Sequence, residues 1–214
     1  MAREAGRLAA PDPGFRNVNR LASHSQATRQ RVVCVDHDPC LMMSTMPRST
    51  IPDDAALGEL AQRVGEALKA QHLMLVTAES CTGGWIAKTV TDIAGSSDWF
   101  DCGLAAYSYE AKQALLGVRP QTLEQYGAVS RDTVLEMVSG AFLHSGAGIA
   151  VAVTGIAGPG GGTPDKPVGT VWIGWKRRGG YPRAEVFHFD GDREAVRRQT
   201  VEAALMGLQG IVEG

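Results

Sequence analysis

The sequence predicts an α/β sandwich with a mixed sheet, built as a single domain. Short apolar runs of strand length alternate with segments whose apolar residues recur at helical spacing, the pattern of helices packed on a sheet. Two of the runs are separated only by a turn at residues 177–180 and predict an antiparallel hairpin, so the sheet is not wholly parallel. The 214 residues suffice for one full-sized core and contain no internal repeat.

The predicted elements begin at residue 53. The first helix has acidic residues at its N-terminus and five apolar residues on one face: Leu57, Leu60, Ala61, Val64 and Leu68. Further helical segments follow from apolar spacing, glycine or proline stops and serine or aspartate caps: residues 84–93, 109–116, 122–126, 130 to about 146, and 192 onward. The strands are apolar runs between turn residues: 73–77, 103–108, 149–154, 168–176 and 184–190.

Composition and charge exclude several classes of function. The net charge of −2 gives no electrostatic case for binding nucleic acid or an anionic membrane. No apolar run approaches the length of a membrane span. The four cysteines form no CxxC pair and the five histidines no HExxH motif, so we predict neither a metal site nor a cofactor. This cysteine usage fits a reducing compartment, and we expect a cytoplasmic protein.

Residues 1–50 differ from the rest of the chain. Arginines lie there among Ala, Ser, Pro and Asn without a sustained hydrophobic period, a composition typical of disorder. An arginine-rich, acid-poor N-terminus also fits an organelle transit peptide. We favour a third interpretation, a mis-assigned or non-essential extension, because Met42, Met43 and Met46 precede the first helix and offer alternative starts. The functional domain is expected at residues 51–214.

A turn rich in hydroxyl groups follows the first predicted strand. The sequence TAESCTGG, residues 77–84, connects that strand to a helix, and Ser80 would meet a substrate carbonyl there. An ordinary serine N-cap explains the same pattern without catalysis. The Cys81 thiol is a rival nucleophile, because a helix N-terminus lowers the pKa of a cysteine. The oxyanion would be held by N–H groups of the residues after the serine: Cys81, Thr82, Gly83 and Gly84.

Lys112 is the candidate base for Ser80. No histidine is suitably placed, and a lysine with a lowered pKa accepts the hydroxyl proton in Ser–Lys hydrolases. Tyr107, at the end of the second predicted strand, would hydrogen-bond to either partner. The alternatives are a solvated helix lysine paired with a neighbouring acid, and a strand tyrosine without a catalytic role.

The third strand runs through Thr154 into the most glycine-dense loop of the chain, which begins at Gly155 and includes Gly158 and Gly161. No Gly-Lys-Ser/Thr closes this loop, so it is not a P-loop. Its N–H groups would bind a phosphate, or the loop is merely a flexible connector. Arg193 adds a cation at the start of the last helix. It would bind a phosphate through two N–H groups, or it is an ordinary surface arginine next to a helix cap.

Six sequence blocks in this order resemble the CinA C-terminal domain family, the nicotinamide-nucleotide amidohydrolases, in its stand-alone form. The resemblance covers about residues 53–213 and does not extend over residues 1–50. The blocks are AESCTGG at 78–84, YSxEAK at 107–112, GAVS at 127–130, TGIAGPxGG at 154–162, KPVGTV at 166–171 and GDR at 191–193.

The resemblance implies a three-layer α/β/α sandwich that tends to form homodimers. It implies metal-independent hydrolysis of nicotinamide mononucleotide to nicotinate mononucleotide and ammonia, a step of pyridine nucleotide salvage. The family's Ser–Lys pair falls on Ser80 and Lys112. Its tyrosine, threonine and arginine fall on three further positions: Tyr107, Thr154 and Arg193. One departure is Tyr109, where the family often has asparagine.

Two other functions fit the same motifs. A nucleotide-binding regulatory module would use the glycine loop but would not need a lysine beside Ser80. An amidase for another small amide would need the Ser–Lys pair but not a phosphate-binding loop. The hypothesis of hydrolysis requires the Ser80 hydroxyl and the Lys112 amine to lie side by side at one cleft.

Overall fold

The computed structural model describes residues 51–214, so the predictions made for residues 1–50 lie outside the described residues. Residues 96–98 and 141–144 form short 3-10 turns. The helices are α1 (Asp54–Ala70), α2 (Trp85–Thr91), α3 (Tyr109–Leu116), α4 (Pro120–Tyr126), α5 (Arg131–Gly140) and α6 (Arg193–Glu213). The strands are β1 (Leu75–Glu79), β2 (Phe100–Ala105), β3 (Ile149–Gly155), β4 (Thr170–Arg177) and β5 (Arg183–His188).

The five strands form one mixed sheet in the order β2-β1-β3-β4-β5. β1 is parallel to both of its neighbours, whereas β4 pairs antiparallel with β3 and with β5. The carboxyl ends of the three parallel strands therefore share one edge of the sheet. The chain passes from β1 to β2 on one side and then crosses to β3 on the other. The end of β1 is thus a topological switch point, the position where open α/β sheets place ligands.

Helices cover both faces of the sheet, which confirms the predicted three-layer sandwich. Alternate residues of each central strand point to opposite faces: Leu75 belongs to one apolar cluster, and Val76 belongs to the other. The first cluster also contains the apolar sides of α1, α2 and α6, and the second contains those of α3, α4 and α5. Among residues 51–214, no helix is both long and apolar enough to cross a membrane.

Several predicted boundaries were wrong by a few residues, each for a local reason. The second strand ends at Ala105 rather than at 108, because the Ser108 side chain accepts a hydrogen bond from the Ala111 N–H and so begins α3. Pro120 does not only stop the preceding segment; it is the first residue of α4, where its missing N–H costs nothing. α5 ends at Gly140 and continues only as a 3-10 turn.

Close packing between α3 and α5 fixes the position of α3. A Cβ atom on Gly140 would lie 1.7 Å from the carbonyl oxygen of Leu116 and 2.9 Å from its Cα. Only glycine allows the two backbones to approach this closely. Because α3 carries Lys112, this contact contributes to the placement of a candidate catalytic side chain.

We expect Gly140→Ala to lower the free energy of unfolding by about 3 kcal/mol, since the new methyl group would overlap a backbone that has no rotamer with which to yield. Gly58→Ala is the matched control. Gly58 lies inside α1 with no atom within 4 Å of its added Cβ, so the change should raise stability by up to about 1 kcal/mol. Urea denaturation of both variants measures the difference, and equal stability would contradict the packing argument.

Candidate active site

Ser80 lies immediately after β1, in a tight turn that leads to α2. Its N–H donates to the carbonyl of Val153 on β3 at 3.0 Å, and its own carbonyl accepts from the Gly83 N–H at 3.1 Å. Gly83 and Gly84 have φ angles of 63° and 98°, in the left-handed region that favours glycine. The two glycines therefore serve the turn itself, which holds Ser80 at the switch point with 8% of its surface exposed.

The Lys112 amine and the Ser80 hydroxyl lie side by side, as the sequence predicts, whereas their predicted opening into one cleft stays a prediction. Lys112 Nζ is 2.9 Å from Ser80 Oγ, although the two residues are 32 positions apart. The amine also lies 2.9 Å from the carbonyl oxygen of Ala106 and 3.1 Å from that of Tyr107. Carbonyl oxygens can only accept, so both take N–H groups of Nζ, and a neutral amine held in this way would present its lone pair to the Ser80 hydroxyl.

The surroundings of Lys112 favour its neutral form. The side chain is 1% exposed, and no carboxylate within residues 51–214 bonds to it. Burial lowers the pKa of Lys112 below the ordinary value of 10.5, because desolvation penalises the ammonium. The alternative of a solvated lysine paired with an acid is therefore wrong. A buried lysine beside a hydroxyl has the properties of a general base.

The structure disfavours Cys81 as the nucleophile. The residue is 5% exposed and belongs to the apolar cluster on the α1, α2 and α6 side of the sheet. Burial raises the pKa of its thiol to about 12. A thiol with that pKa stays protonated at neutral pH and is a poor nucleophile.

Glu79 anchors the turn through five hydrogen bonds. Its buried carboxylate accepts from the hydroxyls of Thr77 and Thr82, at 3.2 and 2.7 Å. It also accepts from N–H groups in the first turn of α2, at 2.9 to 3.1 Å: those of Gly84, Ile86 and Ala87. No hydrogen bond or ion pair joins Glu79 to Lys112, whose amine contacts Ser80, Ala106 and Tyr107. A carboxylate at a helix N-terminus instead neutralises unpaired N–H groups and the positive end of the helix dipole.

The hydrogen bonds of the turn narrow the predicted oxyanion site. The N–H groups of Gly83 and Gly84 are engaged by Ser80 and Glu79, so they are not free to hold an oxyanion. Within residues 51–214, the N–H groups of Cys81 and Thr82 have no hydrogen-bond acceptor. These two are therefore the available donors next to Ser80.

Tyr107 and Arg193 lie together at the mouth of the site. Arg193, the first residue of α6, donates through Nη2 to the Tyr107 hydroxyl at 3.3 Å and through Nη1 to the Gly158 carbonyl at 2.9 Å. The Tyr107 side chain is 65% exposed, and only its backbone carbonyl reaches Lys112. The predicted contact of its hydroxyl with Ser80 or Lys112 is therefore wrong, and Arg193 takes that place.

Thr154 and the glycine loop lie beside this group, but their contacts are internal. The Thr154 hydroxyl is buried and donates to the Ala128 carbonyl at 2.8 Å. A Cβ on Gly155 or Gly158 would lie 2.6 Å from a valine side chain, that of Val171 or Val168. Packing against the start of β4 thus explains part of the glycine content. Their predicted contacts with a phosphate stay predictions.

Two features of the site gave no signal in the sequence. A cavity of about 780 Å³ adjoins the turn and is lined by Thr82, Gly83 and Gly84, but not by Ser80 or Lys112. Arg197, on α6, also lines it and donates to the Thr82 carbonyl at 2.7 Å. Within residues 51–214, no three His, Cys, Asp or Glu side chains lie close enough together to bind a metal ion.

Comparison with known proteins identifies relatives of the whole described domain. A family model for the CinA C-terminal domain matches residues 57–212. Nicotinamide-nucleotide amidohydrolase PncC of Escherichia coli (strain K12) is 53% identical over 157 residues, which cover 72% of this chain and 94% of that protein. The protein of the same name from Pseudomonas putida is 54% identical over 149 residues, covering 70% of this chain and 92% of the relative.

Solved structures share the fold. The competence/damage inducible protein CihA from Agrobacterium tumefaciens has a TM-score of 0.72 and 46% sequence identity, covering 78% of this chain and 99% of that one. A CinA superfamily protein from Klebsiella pneumoniae 700603 has a TM-score of 0.71 and 41% identity, covering 73% of this chain and 98% of that one. At these sequence identities and TM-scores, both proteins share the arrangement of helices and strands described above, which supports the three-layer fold.

We expect Glu79→Gln to lower the free energy of unfolding by roughly 2–3 kcal/mol, because one carboxylate oxygen becomes an NH₂ group that faces bound donors. Urea denaturation at pH 7 measures this loss. Glu59→Gln, on the exposed side of α1, is the matched control and should change stability by less than about 0.5 kcal/mol. Equal effects of the two substitutions would show that the Glu79 contacts do not hold the turn.

Proposed function

The chain belongs to the CinA C-terminal domain family, and on that basis we propose that it hydrolyses the carboxamide of nicotinamide mononucleotide, giving nicotinate mononucleotide and ammonia. The observation that carries the proposal is the 2.9 Å approach of Lys112 Nζ to Ser80 Oγ. A buried amine beside a hydroxyl at a switch point is suited to amide hydrolysis. The proposed place in metabolism is pyridine nucleotide salvage.

The first step is activation of the serine. Neutral Lys112 takes the proton of the Ser80 hydroxyl as Oγ attacks the carboxamide carbon. A C–O bond forms, and the carbonyl electron pair moves to the oxygen. The carbonyls of Ala106 and Tyr107 keep the amine oriented during this transfer, since both accept from Nζ.

The second step is departure of ammonia. The N–H groups of Cys81 and Thr82 hold the oxyanion of the tetrahedral intermediate. The protonated Lys112 returns its proton to the amide nitrogen, the C–N bond breaks, and ammonia leaves an acyl-enzyme on Ser80. Water then attacks this ester with Lys112 again as base, which releases the carboxylate product and restores the serine.

The remaining parts of the proposal concern binding and context. We assign the substrate's ribose to the region around Arg193, Tyr107 and Thr154, beside the glycine loop that Arg193 contacts through the Gly158 carbonyl. A homodimer in the cytoplasm is part of the same proposal. Tyr109, half-exposed at the start of α3, is close enough in sequence to Tyr107 to influence substrate preference.

The nucleophile is tested by comparing two neighbouring substitutions. Ser80→Ala should lower ammonia release from nicotinamide mononucleotide by roughly 10³-fold or more, because it removes the attacking oxygen. Cys81→Ala should stay within about tenfold of the wild type, since the thiol is protonated and takes no part. Near-native turnover by Ser80→Ala would reject the mechanism. Substrate binding by the wild type without any ammonia release would instead identify a binding module.

The base is tested by the pH dependence of kcat/KM. Lys112 must be neutral to accept a proton, so the rate should rise with pH and level off above the pKa of this lysine. Because burial lowers that pKa, the midpoint of the rise should lie below 10.5. Lys112→Arg should be inactive throughout, since a guanidinium does not deprotonate in this range. A midpoint at or above 10.5, or an active arginine variant, would exclude Lys112 as the base.

A further inference from the structure

We infer that the cavity beside the Ser80 turn binds a phosphate monoester dianion, the phosphate of the substrate, with Arg197 as its main ligand. This inference rests on the proposed function and assigns a residue outside the family's sequence blocks. The cavity measures about 780 Å³, large enough for a ribose phosphate. Its walls come from the turn after β1 and from the first turns of α1, α2 and α6.

Only some of the cationic side chains in the cavity wall are paired with a carboxylate. Four cationic and three acidic side chains line it. Arg198 is paired twice, with Asp54 at 2.6 Å and with Glu194 at 2.9 Å. Lys88 is paired with Asp92 at 2.6 Å. The remaining cations of the wall are two arginines, and neither has a carboxylate partner among the described residues: Arg193 and Arg197.

Arg197 has unused capacity to donate hydrogen bonds. Its Nη2 donates to the neutral carbonyl of Thr82, and its guanidinium carbon lies 4.8 Å from the centre of the Trp85 ring. Its Nε is buried and has no acceptor among residues 51–214. A guanidinium held on an aromatic ring, with a free N–H donor and no bonded carboxylate, is suited to bind a phosphate through two N–H groups.

The start of α6 adds to the attraction for an anion. This helix is 21 residues long, and its first residues, Arg193 and Glu194, line the cavity. The Asp192 side chain caps the N–H of Ala195. The two N–H groups before it have no acceptor within the described part of the chain. Together with the helix dipole, these donors favour a negative charge at the same position as the two arginines.

Bonded residues link the cavity wall to the reacting groups. Arg193 lines it and also bonds to Tyr107, whose carbonyl contacts Lys112. Thr82 lines it as well and lies two residues from Ser80. The inference accordingly places the substrate's carboxamide at Ser80 and its phosphate beyond Arg193, at Arg197. This location differs from the glycine loop, none of whose residues lines the cavity.

The test compares Arg197→Met with a matched arginine. Arg178 likewise bonds to backbone carbonyls and stacks on an aromatic ring, at 4.5 Å from that of Phe142, but it lies outside the cavity. We expect Arg197→Met to lower kcat/KM for nicotinamide mononucleotide at least tenfold, mainly through KM, and to change kcat/KM for the phosphate-free riboside less than twofold. Arg178→Met should alter neither value more than twofold.

Two results would overturn the inference. Equal losses on the nucleotide and the riboside would show that Arg197 only supports the turn through Thr82. No loss on either substrate would place the phosphate elsewhere. If the wild type releases no ammonia, the proposed function fails, and calorimetric titration with nicotinamide mononucleotide still decides the inference. Binding that is weakened at least tenfold in Arg197→Met supports the cavity as a phosphate site, and unchanged binding rejects it.

Discussion

The burial of the Lys112 amine against Ser80 is the constraint on which the rest of the site depends. An ammonium in this position would lose its hydration without gaining a carboxylate, so the folded chain favours the neutral form. The free-energy cost of burying this polar group is limited because three oxygen atoms surround Nζ at 2.9 to 3.1 Å. Two of them are backbone carbonyls just beyond β2, so the end of the strand sets the orientation of the amine. The backbone at the end of β2 therefore orients the proposed catalytic base.

The topology explains why two distant positions meet. β1 and β2 are parallel neighbours, so their carboxyl ends lie side by side, and α3 begins soon after β2. A residue one turn into that helix projects back toward the end of β1. The close contact between Gly140 and Leu116 holds α3 against α5, and the Glu79 carboxylate holds α2 against β1. The positions of Ser80 and Lys112 are therefore fixed by two separate sets of contacts.

The sequence predicted this fold and the central pair because both have local signals. Alternating strands and helices, glycines at a strand-to-helix turn and a lysine one turn after a serine cap are all visible without coordinates. The contacts that were missed are long-range. The Tyr107 hydroxyl meets an arginine 86 positions away, and the Thr82 carbonyl meets one 115 positions away. No periodic pattern marks Arg197 as different from Arg198, since only the folded wall shows which of them has an acidic partner. The glycine loop is ambiguous in the opposite sense, because packing against valine side chains requires glycine at positions 155 and 158 whether or not a ligand binds there.

Strand alternation also separates the Glu79 carboxylate from the base. Glu79 and Ser80 are adjacent in sequence, but successive residues of an extended chain point to opposite faces of the sheet. Glu79 therefore faces α2, where five donors occupy its oxygens, while Ser80 faces α3 and Lys112. A carboxylate within reach of Lys112 would raise its pKa and hold the proton on the amine. A shift of this segment by one residue would exchange the two faces and bring the acid to the base. The register of β1 between β2 and β3 is consequently a determinant of the protonation state of the site, and not only of the packing of the sheet.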